Sequence, residues 1–466
     1  MLFNSDTFLK FFGAFLLLFY LCRNDLRARN ALIVAASYFF YGWWDYRLLS
    51  LLILTSLLDF FVGIGLERAD LSRKRKALLC LSVAANLSLL GFFKYYDFFV
   101  ESMAASLTRL DIPFHARTLN LILPVGISFY TFQSMSYIID VYRRQISASR
   151  QLVNFLAYVS FFPQLVAGPI ERAAHLLPQF DRTLTITRPM LEEGLWLILW
   201  GLFKKVVLAD NLAPLVELVY QNPAGSGPMV VLGTVAFAFQ IYCDFSGYSD
   251  IARGTARTLG FDILFNFNLP YVATSLREFW QRWHISLSTW LRDYLYISLG
   301  GNRQGSGRTY FNLLITMLLG GLWHGAAWNF VLWGLWHGGG LIVCRFWREW
   351  RGSRPGLPAI IAWPITLLFV LYGWLLFRAG SFEQICLLTG ALGNWSTPAW
   401  LKSYLINLIV FTLPLVGMEL WQAKAKHLLA PLALARWKLA LLQGLLLLAI
   451  ALFWEKDSTP FIYFQF

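Results

Sequence analysis

The sequence predicts an all-α, polytopic membrane protein of about 11–12 transmembrane or re-entrant helices. Three observations carry this prediction. Hydrophobic side chains make up 58% of the chain and charged ones 14%; a soluble domain carries about 25% charged residues, so too few polar groups remain here to cover a water-facing surface. Charge-free runs near membrane length recur from end to end. Lysine and arginine gather in short loops between those runs, as the positive-inside rule requires.

The first run is Phe8 to Cys22, with one cation, Lys10. No basic region precedes it and no small-residue cleavage site follows, so it reads as a retained membrane helix and not as a secretion signal. Ala31 to Trp44, Leu48 to Leu66 (with one acid, Asp59) and Ala77 to Phe93 come next. Thr118 to Ile139 gives 22 residues without a charge and Gln151 to Ile170 gives 20. Two more apolar stretches lie around Leu191 to Ala209, which carries Glu192, Glu193, Lys204 and Lys205 near its ends, and Met229 to Cys243. Thr309 to Cys344 holds 36 residues without Lys, Arg, Asp or Glu, too long for one span and too short for two with a loop, so it is expected to turn inside the protein. Pro355 to Phe377, Ser403 to Met418 and Leu439 to Trp454 end the series. Pro124, Pro163, Gly168, Pro364 and Pro414 fall inside runs and predict broken or re-entrant helices, which need protein or a water cavity around them. No fixed-period repeat or linker interrupts the pattern, and residues 1–466 read as one domain.

Arg23, Arg27 and Arg29 follow the first run, and Arg68 with Arg73 to Lys76 follows the third. This places the N-terminus outside and the 68–76 loop in the cytoplasm. The net charge of +13 belongs to loops facing anionic lipid, and no basic tract is long enough to form a nucleic-acid face. Cys22, Cys80, Cys243, Cys344 and Cys386 form no CxxC pair and read as small hydrophobes, not as disulfides or metal ligands.

Leu276 to Arg308 departs from a simple bundle. Five arginines stand against two acids, interleaved with Trp280, Trp283, Trp290, Tyr294 and Tyr296. Trp280, Trp283, Leu287, Trp290 and Leu291 recur at helical spacing and predict one apolar face. The segment is either an interfacial helix with its arginines among headgroups or a helix that closes a basic cavity over an anionic cofactor.

Of six histidines, His115, His175 and His427 sit in polar or interfacial surroundings and read as structural. His324 lies deep in the longest charge-free run, flanked by Gly320, Gly321, Gly325, Trp323 and Trp328. An ionisable group at that depth costs several kcal/mol unless it meets a cavity or partner. A neutral imidazole there suits a general base that deprotonates a hydroxyl. His337 either shares that cavity or packs. His284 falls beside the Trp283 stripe and either points inward or lies at the interface. Asp244 and Asp250 in YCDFSGYSD either orient a histidine, bind a cation or cap the following helix. No GxSxG elbow, Walker loop, post-strand GxGxxG or HExxH is present, which leaves a serine hydrolase or a nucleotide-driven pump without support.

The stretches REFWQRWHISLSTWLRDYLYISLGGNR and LLGGLWHGAAWNFVLWGLWHG resemble the bacterial membrane-bound O-acyltransferases. The likeness is nearest to the membrane subunits of alginate O-acetylation and more distant to those of teichoic-acid D-alanylation. LPVGISFYTFQSMSYIIDVYR, FFPQLVAGPIER, GLFKKVVLADN, YCDFSGYSD and the terminal FIYFQF extend it over most of the chain. The resemblance implies a ring of helices around a central funnel, with the catalytic core at residues 118–345 or so. It implies a catalytic histidine at His324 and a second functional one at His284. Acetyl-CoA is the donor it implies, met by Arg282, Trp283, Arg292, Asn302 and Arg303, with no metal. It also implies a bacterial inner-membrane location and a periplasmic partner with a serine nucleophile that carries acetyl to an exported polysaccharide. Peptidoglycan, cellulose and teichoic-acid D-alanylation stand as alternative acceptor systems. A transporter or flippase is the alternative from another class, though related halves, common in transporters, are not found.

Overall fold

The computed structural model describes residues 1–114, 117–166, 168–222, 225–454 and 461–462; His115 lies outside them. Every regular element among these residues is helical. Among the described residues, six helices are long and apolar enough to cross a membrane: Leu26–Arg68, Ser72–Thr108, Gly227–Thr258, Ala359–Arg378, Leu401–Ala425 and Arg436–Phe453. The chain is a multi-pass membrane protein. It groups into two compact units, Met1–Leu191 with Thr255–Leu264, and Glu192–Gly254 with Phe265–Phe466.

The first unit holds α1 (Asp6–Cys22), α2 (Leu26–Arg68), α3 (Ser72–Leu90), α4 (Tyr96–Thr108), α5 (Ile127–Tyr142), α6 (Leu152–Ser160), α7 (Phe162–Leu165) and α8 (Ala173–Phe180). The two expected helices on either side of Asp45 form one element, bent where Asp45 leaves helical geometry at φ −155° and ψ 110°. Its carboxylate accepts from the Arg47 backbone N–H at 2.9 Å and pairs with the guanidinium at 2.6 Å. The expected span from Thr118 is shorter than read: the chain is irregular as far as Gly126, whose φ is +74°, and helix starts at Ile127. The run from Gln151 breaks at Phe161, with Pro163 in the first turn of α7.

Polar groups join these helices where lipid supplies no water. Asp59 is fully buried and accepts from the Ser82 hydroxyl at 2.5 Å and the Asn86 amide at 3.1 Å. The Arg75 guanidinium donates to the carbonyls of Leu66, Val141 and Tyr142, at the C-terminal ends of α2 and α5, where cations complement the helix dipole. His175 is structural, as read. Its Nδ1 lies 2.9 Å from Glu171 and its Nε2 3.6 Å from Asp262. Asp262 and Glu171 hold this imidazole protonated well above its ordinary range, up to about 10. The stabilisation is therefore full below the ordinary value of 6.5 and vanishes as pH rises through about 10. His175→Gln is expected to lower the thermal midpoint in detergent at neutral and acidic pH, with the gap to wild type closing toward pH 10.

The second unit holds α9 (Arg188–Leu202) from Glu192 on, α10 (Asp210–Gln221), α11 (Gly227–Thr258) as far as Gly254, α12 (Leu276–Arg282), α13 (Ile285–Trp290), α14 (Gly305–His324), α15 (Trp328–Arg351), α16 (Ala359–Arg378), α17 (Phe382–Ala391), α18 (Leu401–Ala425) and α19 (Arg436–Phe453). Helices α16 and α18 continue unbroken through Pro364 and Pro414, which were expected to break them. A π-helical stretch, Phe203–Ala209, links α9 to α10 and carries Lys204 and Lys205. Lys204 Nζ lies 2.7 Å from Asp250 and 3.0 Å from Ser246 Oγ; Lys205 Nζ lies 2.8 Å from both Asp210 and Asp244. Asp244 and Asp250 thus sit inside α11 as partners of buried lysines, and neither is a cap.

The 36-residue run turns as expected, between α14 and α15 at Gly325 to Ala327. The two helices touch backbone to backbone. A Cβ on Gly321 would lie 2.2 Å from the Phe330 carbonyl oxygen, and one on Gly334 would lie 2.5 Å from that of Met317. Close contact of this kind is what joins helices in lipid.

Two stability outcomes follow. Lys205→Met strands the carboxylates of Asp210 and Asp244, and should destabilise by about 3–5 kcal/mol, partly recovered in the Lys205→Met/Asp244→Asn pair. Gly334→Ala forces α14 and α15 apart and should cost about 1–3 kcal/mol. Both are read as thermal midpoints in detergent.

Candidate active site

His324 is the last residue of α14 and is 4% exposed. Its ring is caged by Trp323, Trp333 and Phe377, with centroids at 5.1, 5.0 and 5.2 Å. It also forms part of the wall of a cavity of about 930 Å³ within the second unit, a size suited to a small-molecule ligand. Residues of α12, α13, α14, α15 and α16 complete the wall.

The charge on this wall has one sign. Arg277, Arg292, Arg345, Arg348 and Arg351 line it, and no Asp or Glu does. Arg292 pairs with Asp293 at 2.7 Å and Arg345 with Glu349 at 2.7 Å. Arg277, Arg348 and Arg351 make no ion pair among the described residues. A low-dielectric cleft lined this way concentrates anions. Asn302 also lines the cavity and ties its parts together, accepting from Tyr296 Oη and, at 3.0 Å, from Arg345 Nη1.

The expected continuous helix over Leu276 to Leu291 is broken. Trp283 ends α12 in extended geometry and His284 takes φ +42° and ψ 56°. A left-handed backbone at a non-glycine residue costs about 1–3 kcal/mol and persists only where surroundings impose it. Two asparagines impose it here. The Asn266 backbone carbonyl accepts from Ile285 N at 2.9 Å, while its side chain accepts from Ser286 Oγ at 2.6 Å and donates to Ser249 Oγ of α11 at 3.1 Å. Asn268 accepts from Arg282 Nη1 at 2.9 Å and its N–H donates to the Arg282 carbonyl at 3.0 Å. The break splits the predicted apolar face. Trp280, Leu287 and Leu291 line the cavity, while Trp283 and Trp290 are buried away from it.

The sequence-predicted site residues are only partly brought together. His324, Arg292 and Asn302 share the cavity. His284 is fully buried and does not line it; its ring packs on Phe245 at 4.6 Å and on Trp323 at 5.7 Å. His284 and His324 therefore meet through the same indole. Arg282 lines an adjoining polar groove and pairs with Glu278 at 2.9 Å. Trp283 is 1% exposed within the protein, and Arg303 is exposed and outside the cavity wall. The lining also runs past residue 345, as far as Thr366.

Arg345, Arg348 and Arg351 escaped the sequence reading. Their three-residue spacing on CRFWREWR keeps them close along the last turns of α15, and that spacing was the available signal. The partners of Lys204 and Lys205 were equally hidden, since nothing in the sequence says which acids buried lysines meet.

With this geometry in hand, comparison with known proteins is direct. Residues 143–382 match the model of the membrane-bound O-acyltransferase family. The chain is 42% identical to the probable alginate O-acetylase of Azotobacter vinelandii over 418 residues, 89% of this chain and 83% of that one. It is 37% identical to the peptidoglycan O-acetyltransferase of Helicobacter pylori over 428 residues, 84% and 80% of the two chains. It is 30% identical to the teichoic acid D-alanyltransferase of Streptococcus thermophilus over 243 residues, 48% and 57% of the two. A multi-pass helical chain whose buried His324 opens on an arginine-lined cavity, and which matches the alginate and peptidoglycan relatives over 84–89% of its length, belongs to the membrane-bound O-acyltransferase family and is an O-acyltransferase.

Proposed function

We propose that this enzyme O-acetylates an exported polysaccharide of the alginate class, taking acetyl from acetyl-CoA in the cytoplasm with His324 as general base. The observation that carries the donor assignment is the cavity wall, on which His324 stands with five arginines and no acid. A thioester carried on a phosphorylated nucleotide needs just these two elements, cations for the phosphates and a base beside the acyl group. The relatives named for alginate and peptidoglycan acetylation support acetyl transfer to a polymer.

In this reading Arg348 and Arg351, with Arg277, hold the donor's phosphates. The His324 imidazole takes the proton from an acceptor hydroxyl. The oxygen attacks the thioester carbonyl, the C–S bond breaks, and the departing thiolate takes the proton back from the imidazolium. His284 acts through Trp323, which it shares with His324, and not by touching the donor. The acceptor hydroxyl belongs to the polymer or to a periplasmic serine-nucleophile transferase that passes the acetyl group on. The bacterial inner membrane is where a cytoplasmic donor and an exported acceptor face the same protein. The catalytic core of residues 118–345 is extended by the arginines at the end of α15.

Purified enzyme with acetyl-CoA and an acceptor tests this. His324→Ala should lower CoA release by about 100-fold or more at unchanged thermal midpoint; near-wild-type turnover would overturn the base assignment. Arg348→Ala/Arg351→Ala should raise KM for acetyl-CoA about tenfold or more with little change in kcat. An unchanged KM would place the donor elsewhere.

A further inference from the structure

A second imidazole stands behind the aromatic wall of the cavity. His337, one turn beyond Trp333 on α15, is fully buried. Its ring meets Trp333 at 4.8 Å, Trp280 at 5.2 Å and Phe369 at 5.7 Å. Trp280 and Trp333 both line the cavity and touch each other edge to face at 5.6 Å. Trp333 is also in contact with the His324 ring at 5.0 Å. The fourth side of the slot is the backbone of α16, where a Cβ on Gly373 would lie 2.6 Å from His337 Nε2.

Both ring nitrogens of His337 and the indole N–H groups of Trp280 and Trp333 are buried without a hydrogen-bond partner among the described residues. Packing alone does not account for this. An apolar side chain would fill the slot with no polar group to desolvate, and burying unpaired donors and acceptors opposes folding. The four polar atoms lie on three rings in mutual contact, directly against the cavity that holds His324. Of the rings touching Trp280, which are Phe279, Trp333 and His337, only the imidazole carries a strong acceptor. Trp280 is also the wall member with freedom to turn. It is half-buried, on the seven-residue α12 that ends next to the left-handed His284, whereas Trp333 is 1% exposed.

We propose that His337 is a positioning residue for acyl transfer. When the donor's thioester enters, the Trp280 indole turns and donates its N–H to the acceptor nitrogen of His337. The fixed pair of indoles then holds the His324 ring at the tilt from which it takes the acceptor's proton. No bond forms or breaks at His337, and it does not touch the reacting atoms. The proposal rests on His324 being the base.

A double-mutant cycle tests it, read as CoA release and thermal midpoint. His337→Leu and Trp280→Phe should each lower kcat about tenfold, and the double variant should lose no more than either alone. His337→Leu should keep or raise the thermal midpoint, and His337→Asn, whose amide oxygen restores an acceptor, should recover most of the activity. Wild-type kcat in His337→Leu, or losses that multiply in the double variant, would overturn it. Should His337→Leu fail to fold, Trp280→Phe against Trp280→Phe/His337→Asn decides the same coupling. His324→Ala run alongside separates the two levels: if it stays active the base assignment fails, and if it is dead while His337→Leu is unaffected only this proposal fails.

Discussion

The site depends on the contact between the backbones of α14 and α15. An imidazole away from water is costly unless it meets a cavity or a partner; His324 meets the cavity because α14 stops at it and the chain reverses within three residues. Lipid gives the two helices no hydrophobic reason to associate, and close van der Waals contact has to do it. Gly321 against Phe330 and Gly334 against Met317 supply that contact. The same approach brings Trp333 and Phe330 of α15 up to the end of α14. There Trp333 cages the His324 ring, and Phe330 packs at 4.9 Å on Phe377, the third ring of the cage. A wider separation would loosen the cage and the cavity wall together.

Charge is sorted in the second unit by what it is for. Lys204 and Lys205 are 4% and 1% exposed at the side chain and each meets carboxylates at 2.7–2.8 Å; pairs like these survive in a low dielectric because both members are satisfied. On the cavity wall the arrangement is the reverse, with three arginines in no ion pair. Unpaired cations cost little beside water and gain a large interaction once an anion displaces it. The contrast between neutralised depth and a wall where three of five arginines make no ion pair among the described residues supports, independently of any motif, the proposal that an anionic donor enters there.

Much of the fold was legible because lipid imposes a simple code on composition. Runs without charge marked helices, and the length of Thr309 to Cys344 alone announced the turn beside His324. What misled was local. Pro364 and Pro414 were read as breaks, but α16 and α18 continue through them, and a bundle of helices is a setting that tolerates proline. Asp244 and Asp250 were legible as chemistry-bearing, yet their role depended on Lys204 and Lys205 some 40 residues away in sequence, brought opposite by a π-helical stretch that no periodicity announces. His324 could be singled out because its depth alone is costly. His284 could not be placed, because its position hangs on a backbone reversal.

That reversal explains why α12 and α13 look like one amphipathic helix and are not. On a continuous helix Trp280, Trp283, Leu287 and Trp290 would share a face and compete for one surface. Turning the backbone at His284 separates them: Trp280 goes to the cavity, Trp283 to a buried aromatic cluster with Phe267, Phe279 and Trp374. Asn266 and Asn268 offset the strain by satisfying the backbone groups that the lost helical turn releases. The same turn buries the His284 ring against Trp323, next to His324 in the chain. A helix that obeyed its own periodicity would have left the cavity without Trp280 and the Trp323 indole without the His284 ring against it; the left-handed turn at His284 is the local cost of both placements.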